Sequence, residues 1–364
     1  MSTLPKNNLE GACQKIRQEL TTAITLDNPL TLESKTGMLD MLTTQPKTID
    51  IVMRDNSNNT QYRPVEITSW DATYTDAGIV QDVTSLTCSP GTTKGKQTKT
   101  YEPTLETGFK VTIGVPEMRQ YCDKGNWADF VNQHILPRMR DARKDVDAQL
   151  LAKAVANVGA NPGAETAAGA WKDIELLKAD GAIDSDSWQD MLNFTEDSQM
   201  NNGLKIVGLG KYRRFINQLG VGCCNDAGVD IAEVRAQLEG FEFYKDHNAT
   251  TTIMSDADRI VGFAPGWVQF YQYNMNGGMN SGVMPNGDIL GTMPDSKYPM
   301  MKWDYILKYV SGCDGNNTTP FEGDYVWVFG MNSDLFIPPT EIWNIYDPLV
   351  DMNGIFGYRV TQAS

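Results

Sequence analysis

The 364 residues carry 31 Lys and Arg against 46 Asp and Glu, a formal net charge of −15. Neutralising phosphates takes clustered cations, so this balance argues against a surface that grips nucleic acid, though it suits a wall facing a polyanion without adhering to it. Hydrophobic residues make up 41%, enough in a chain this long for a large core, and no run of about 18 apolar residues offers a membrane span. The cysteines at 13, 88, 122, 223, 224 and 313 lack CxxC spacing, and the opening MSTLPKNNLEGACQ has neither the basic nor the apolar region of a secretory signal. Reduced thiols in a cytoplasmic product are expected.

At the start, Ala12, Ile16, Leu20 and Ile24 fall on one side of a helical pattern over residues 9–24, and after Asn28-Pro29 a second apolar patch covers residues 32–42. Such an arm either wraps over its own domain or reaches a neighbour, and because these residues are too few to fold alone, 1–47 reads as an arm of the second kind. Ile16, Leu20 and Ile24 are its candidate intersubunit contacts. From 48 to 113 the period becomes two, with Ile49, Ile51 and Met53, then Val65 and Ile67, then Phe109, Val111 and Ile113. Between them Ser89-Pro90-Gly91 through Lys99 has the composition of an exposed tip. A two-stranded ribbon has little core of its own, so another chain is expected to support it, with Lys94, Lys96 and Lys99 meeting an acidic patch there.

The longest element lies at about 126–159. Trp127, Phe130, Val131, Ile135, Met139, Ala142, Val146, Leu150, Ala154 and Val158 form one apolar stripe, and charges including Arg138, Arg140, Asp141, Arg143 and Asp147 crowd the opposite face. Asn126 is placed to cap the first turn and Gly159 to supply a left-handed exit. Pro137 removes a backbone donor and predicts a kink there or a helix that truly starts near it.

Residues 185–194 suggest a short helix, and from 203 the texture is α/β. Strands are expected at 204–207, 241–244, 250–254 and 259–263, and helices at 211–219 and 231–238. Residues 277–291 hold five glycines and read as loop. Toward the end Met301, Trp303, Tyr305, Leu307 and Tyr309 alternate, as do Tyr325, Trp327 and Phe329. An aromatic sheet face of this kind needs a long apolar partner, and the helix stripe is the candidate.

Chemistry is sparse. His134 and His247 stand far apart in sequence, and a lone histidine is more often satisfied structure than a base or ligand. Gly208-Leu-Gly210-Lys211 lacks the spacing of a phosphate loop. Asp184, Asp186, Asp256, Asp258 and Asp351 suit capping and turns better than a cation site, and Cys223-Cys224 has no placed activating partner. No catalytic, cofactor-binding or metal residue is assigned.

The order of parts resembles the HK97-type major capsid protein of tailed double-stranded DNA bacteriophages. Two local runs sharpen the likeness: Arg259-Ile-Val-Gly262-Phe-Ala-Pro-Gly266-Trp-Val-Gln269, and Tyr346-Asp-Pro-Leu349 through Asn353-Gly-Ile355-Phe-Gly-Tyr358. The resemblance implies an α+β chain with an N-terminal arm (1–47), an E-loop with flanking strands (48–113), a peripheral domain holding the spine helix (114–202), an axial domain (203–298) and returning strands (299–364). It implies a structural protein, not an enzyme, needing no cofactor. Copies would assemble as pentamers and hexamers in the host bacterial cytoplasm, into a virion shell that encloses DNA without reading its sequence. Scaffolding, portal and decoration proteins are partners the resemblance admits; no built-in coiled-coil scaffold and no crosslinking Lys–Asn pair is matched. Three other readings compete: an encapsulin-type compartment of the same fold, a metal-dependent hydrolase using Asp256, Asp258 or His247, and a carbohydrate-binding adhesin whose aromatic strands face ligand.

Overall fold

The computed structural model describes residues 6–23, 35–53, 65–70, 96–159, 171–177, 203–209, 241–256, 258–275, 282–310, 323–338 and 353–362. The chain is α+β. The expected helices at 211–219, 231–238 and 185–194 lie outside the described residues, as do Ile24, Lys94, Cys223, Cys224, Asp184, Asp186 and Asp351.

Three sheets organise it. β1 (Asp50–Met53), β2 (Val65–Trp70) and β3 (Lys96–Tyr101) form a small antiparallel sheet in that order. The largest sheet joins β4 (Leu105–Gly114), β9 (Gln269–Tyr273), β10 (Gly282–Val283), β11 (Ile289–Pro294), β12 (Lys302–Val310) and β13 (Asp324–Phe336). Its order is β10-β11-β12-β13-β4, and β9 pairs with the far half of β13. The third, mixed sheet runs β5 (Lys172–Leu177), β14 (Ile355–Gln362), β8 (Arg259–Phe263), β6 (Lys205–Gly208) and β7 (Glu242–Lys245).

The long element is a composite. Trp127–Phe130 is α-helical (α4, after α3 at Val115–Lys124), Val131–Ile135 is a π-helical turn, and Leu136–Ala156 is the regular helix α5. Pro137 sits in the first turn of α5, where its missing N–H leaves no intrahelical bond open, and the π turn absorbs the fault just before it. At about 1.5 Å per residue the composite spans roughly 45 Å. Its stripe lies on the aromatic sheet as expected: Trp303, Tyr305, Tyr325, Trp327 and Phe329 are buried in one core with Phe130, Met139, Val146 and Leu150. The Phe130 and Trp327 ring centroids are 5.3 Å apart.

Several expectations are corrected. Asn126 makes no cap bond; its amide bonds to Asp129. Gly159 is not left-handed; its N–H bonds Ile355 O at 3.0 Å, and a Cβ there would run into Asn353. Residues 251–254 form a short helix (α6, Thr251–Met254), not a strand, because burying Met254 in the main core outweighs the β-branched preference of Thr-Thr-Ile. The described part of 277–291 is hairpin, with Gly282–Val283 paired to Ile289–Leu290 and Gly287 turning the chain at φ 95°. The segment 203–298 supplies strands to both larger sheets, so its end coincides with no sheet boundary.

The arm reading changes most. Helix α1 (Lys6–Ala23) packs on its own chain, against α4, the π turn and β11, with Ala12, Cys13, Ile16 and Leu20 at most 2% exposed. In this conformation Ile16 and Leu20 are intrachain core, not free contacts. One helix face with an alanine, a thiol and two branched side chains was enough to join the larger core. The β1–β3 sheet is likewise anchored: Ile49, Val65 and Ile67 pack on Tyr271 and Phe336.

Candidate functional site

The spine helix is buried on two flanks. In line with the apolar residues Leu136 and Leu151 run Arg143 and Asp147, four residues apart, at 2% and 0% exposure. Their spacing suggests an outer charged face, yet Arg143 meets Asp295 and Asp147 meets α2 (Gly37–Thr43). Leu151, one turn beyond Asp147, is the signal that this line faces inward.

Arg143 Nε donates to Asp295 Oδ2 at 3.0 Å and its guanidinium also bonds Ser296 Oγ, while Trp303 Nε1 donates to the same Asp295 oxygen at 3.0 Å. Backbone N–H groups of Lys297 and Tyr298 fill Asp295 Oδ1 at 2.8 and 3.0 Å. The helix is thus tied to the β11–β12 turn through a satisfied ion pair.

Asp147 meets a second layer. Helix α2 (Gly37–Thr43) directs Leu39 N–H onto Asp147 Oδ1 at 3.0 Å and Met38 N–H onto Asp246 Oδ2 at 3.0 Å. Asn248 Nδ2 donates to Asp147 Oδ2 at 2.7 Å and Asn248 N–H to Asp246 Oδ1 at 2.7 Å. Gly37 is required here, since a Cβ would stand 2.7 Å from Lys245 O. Around it Thr36 Oγ1 and Tyr298 Oη are 2.5 Å apart, Tyr298 donates to Asp40 at 2.6 Å, and Thr44 Oγ1 lies 2.6 Å from Tyr244 Oη. Burial and the neighbouring Glu242 push the Tyr244 hydroxyl up to about 12, so it stays a neutral donor.

The remaining sequence candidates do not form a catalytic group. His247 accepts Lys35 N–H at 3.0 Å through Nδ1 and donates its backbone N–H to Lys35 O at 2.9 Å; burial and then Lys245 push its imidazole down. His134 lies by Glu117 at 3.3 Å and Tyr121 Oη at 3.1 Å. Asp256 accepts Asp258 N–H at 3.0 Å in a local turn. Among the described residues no three His, Cys, Asp or Glu side chains gather as metal ligands would, and no helix is long and apolar enough to cross a membrane. Cys13 is buried and Cys122 half-buried. Lys96 stands opposite Trp70 in β3, and Lys99, opposite Ile67, is exposed.

The helix, its sheet and the strands leaving at β2 and β3 define a spine-and-sheet α+β fold. No family model matches the sequence, and no curated protein does. The solved structures similar to it include three from phages. The cyanophage A-1(L) capsid asymmetric unit is 13% identical at TM-score 0.47, covering 92% of this chain and 95% of that one. A structure of Mycobacterium phage Adephagia is 11% identical at TM-score 0.39, covering 92% and 94%. The asymmetric unit of the bacteriophage PhiM1 mature capsid is 10% identical at TM-score 0.37, covering 83% of each chain.

Proposed function

We propose that the chain is a structural shell subunit, a major capsid protein of the HK97 type that self-assembles as pentamers and hexamers around a phage DNA genome. One observation carries the reading. The long helix lies along an aromatic antiparallel sheet, β2 and β3 pair in a separate small sheet, and a mixed sheet holds the C-terminal strand β14, an arrangement that supports the reading. The buried polar groups support it, because Asp147 and Arg143 on the long helix are spent on joining elements. The expected role is structural, not catalytic. The exposed Lys99 and its neighbours Lys94 and Lys96 are proposed to meet acidic surface on an adjacent copy. Assembly in the host bacterial cytoplasm, with portal, scaffolding or decoration proteins as partners, belongs to the same proposal.

The test is what purified particles enclose. Nuclease-protected DNA inside closed shells after expression with the neighbouring genes is the expected result. Shells filled with a cargo enzyme would favour the encapsulin-type alternative, and a protein that stays monomeric under those conditions would contradict both.

A further inference from the structure

Asn248 bridges the Asp147 and Asp246 carboxyl groups, its Nδ2 donating to Asp147 and its backbone N–H to Asp246, each at 2.7 Å, and both residues stand at 0% exposure. The donors bonded to them, Leu39 N–H, Met38 N–H, Asn248 N–H and Asn248 Nδ2, are all neutral. A single proton between the carboxyls therefore spares the site two adjacent buried charges. Two of those donors belong to α2, and residues 35–49 are laid over the pair by further bonds: Lys35 with His247, Thr36 and Asp40 with Tyr298, Thr44 with Tyr244 and Lys205, and Gln45 and Thr48 with the Gly266 backbone.

We propose that the proton shared by Asp147 and Asp246 is a pH-operated latch on residues 35–49, holding them to the spine helix when present and loosening them when it leaves. Burial, then the Asp246 charge, pushes the Asp147 carboxyl well above the usual carboxylate range, and burial raises Asp246 too. For raised folded values the stabilising contribution is fully present below the ordinary carboxylate range and is lost as pH rises through the folded values. Loss of the proton sets two anions side by side, and displacing the strap is the route by which water reaches them.

The charged and titratable groups around the strap include Asp40 from α2, Lys35 from the strap, Arg143 and Lys144 from α5, Glu242, Tyr244, Lys245 and His247 from β7 and its turn, Lys205 from β6, and Asp295, Lys297 and Tyr298 from the β11–β12 turn. Arg143 is paired with Asp295, and Tyr298 is held neutral by burial and its bond to Asp40. His247 titrates below the ordinary imidazole range, and its protonation would cost the Lys35 bond in acid.

Amide exchange at Met38 and Leu39 in the full chain tests the latch, read as the ratio of wild-type to D147N rates at each pH from about 5 to about 9. The ratio cancels both the intrinsic pH dependence of exchange and any His247 contribution. A rise of about tenfold or more with pH is expected, because D147N cannot give up the shared proton and leaves Asp246 as the single charge the pair already carries. A ratio flat over the whole range overturns the proposal. D246N supplies the same ratio if D147N does not fold, and a melting temperature that falls no more over this pH range in wild type than in the folded variant would overturn the latch independently.

Discussion

Arg143 reaches across from the spine helix to Asp295, Nε to Oδ2 at 3.0 Å, with both side chains removed from water. A buried pair of this kind contributes little over an apolar substitute, yet leaves a costly bare charge when only one partner goes. Arg143→Ala should therefore lower unfolding stability by about 3–5 kcal/mol, and adding D295L to R143M should not restore it, because Trp303 Nε1 and the Lys297 and Tyr298 N–H groups then lose their acceptor. Urea unfolding of the three proteins measures this, and an Arg143→Ala loss under about 1 kcal/mol would contradict a load on this pair.

Phe130 and Trp327 join the helix to the aromatic sheet in the same way. Phe130→Ala is expected to cost about 3–5 kcal/mol, from lost burial plus the cavity left behind. A double-mutant cycle with W327L should show a coupling of about 0.5–1.5 kcal/mol, and additive losses would show that the rings share a core without meeting.

The helix, its Pro137 fault, its apolar stripe and the aromatic strands were legible because period and spacing are local properties of the chain. Arg143 and Asp147 were not, since an Arg and an Asp four apart look like a surface pair until a second layer covers them. The fate of Ile16 and Leu20 was also out of reach: the stripe predicts that something covers it, but not whether the cover comes from the same chain. Thr250–Met254 failed for a related reason, its β-branched composition yielding to the burial of one methionine.

Gly354 holds φ 76°, and a Cβ there would lie 2.7 Å from Trp267 Cβ. Gly354→Ala should destabilise by about 1–3 kcal/mol, through backbone strain and displacement of the Trp267 ring. Thermal melting with tryptophan fluorescence checks it, and an unshifted Tm would mean the turn tolerates a side chain.

Reversing the ribbon charges separates folding from assembly. Lys94→Glu, K96E and K99E together should leave subunit stability within about 0.5 kcal/mol, as surface changes usually do. Assembly should slow, with the difference from wild type shrinking as salt screens the contact. Unchanged assembly kinetics at low salt would remove these lysines from the interface.

The shell proposal is tested most directly by negative-stain electron microscopy of the protein expressed with its neighbouring genes. Closed particles of uniform diameter, with rings of five and six subunits resolved on averaging, are the predicted result. Dispersed single subunits at every concentration and salt condition would contradict it.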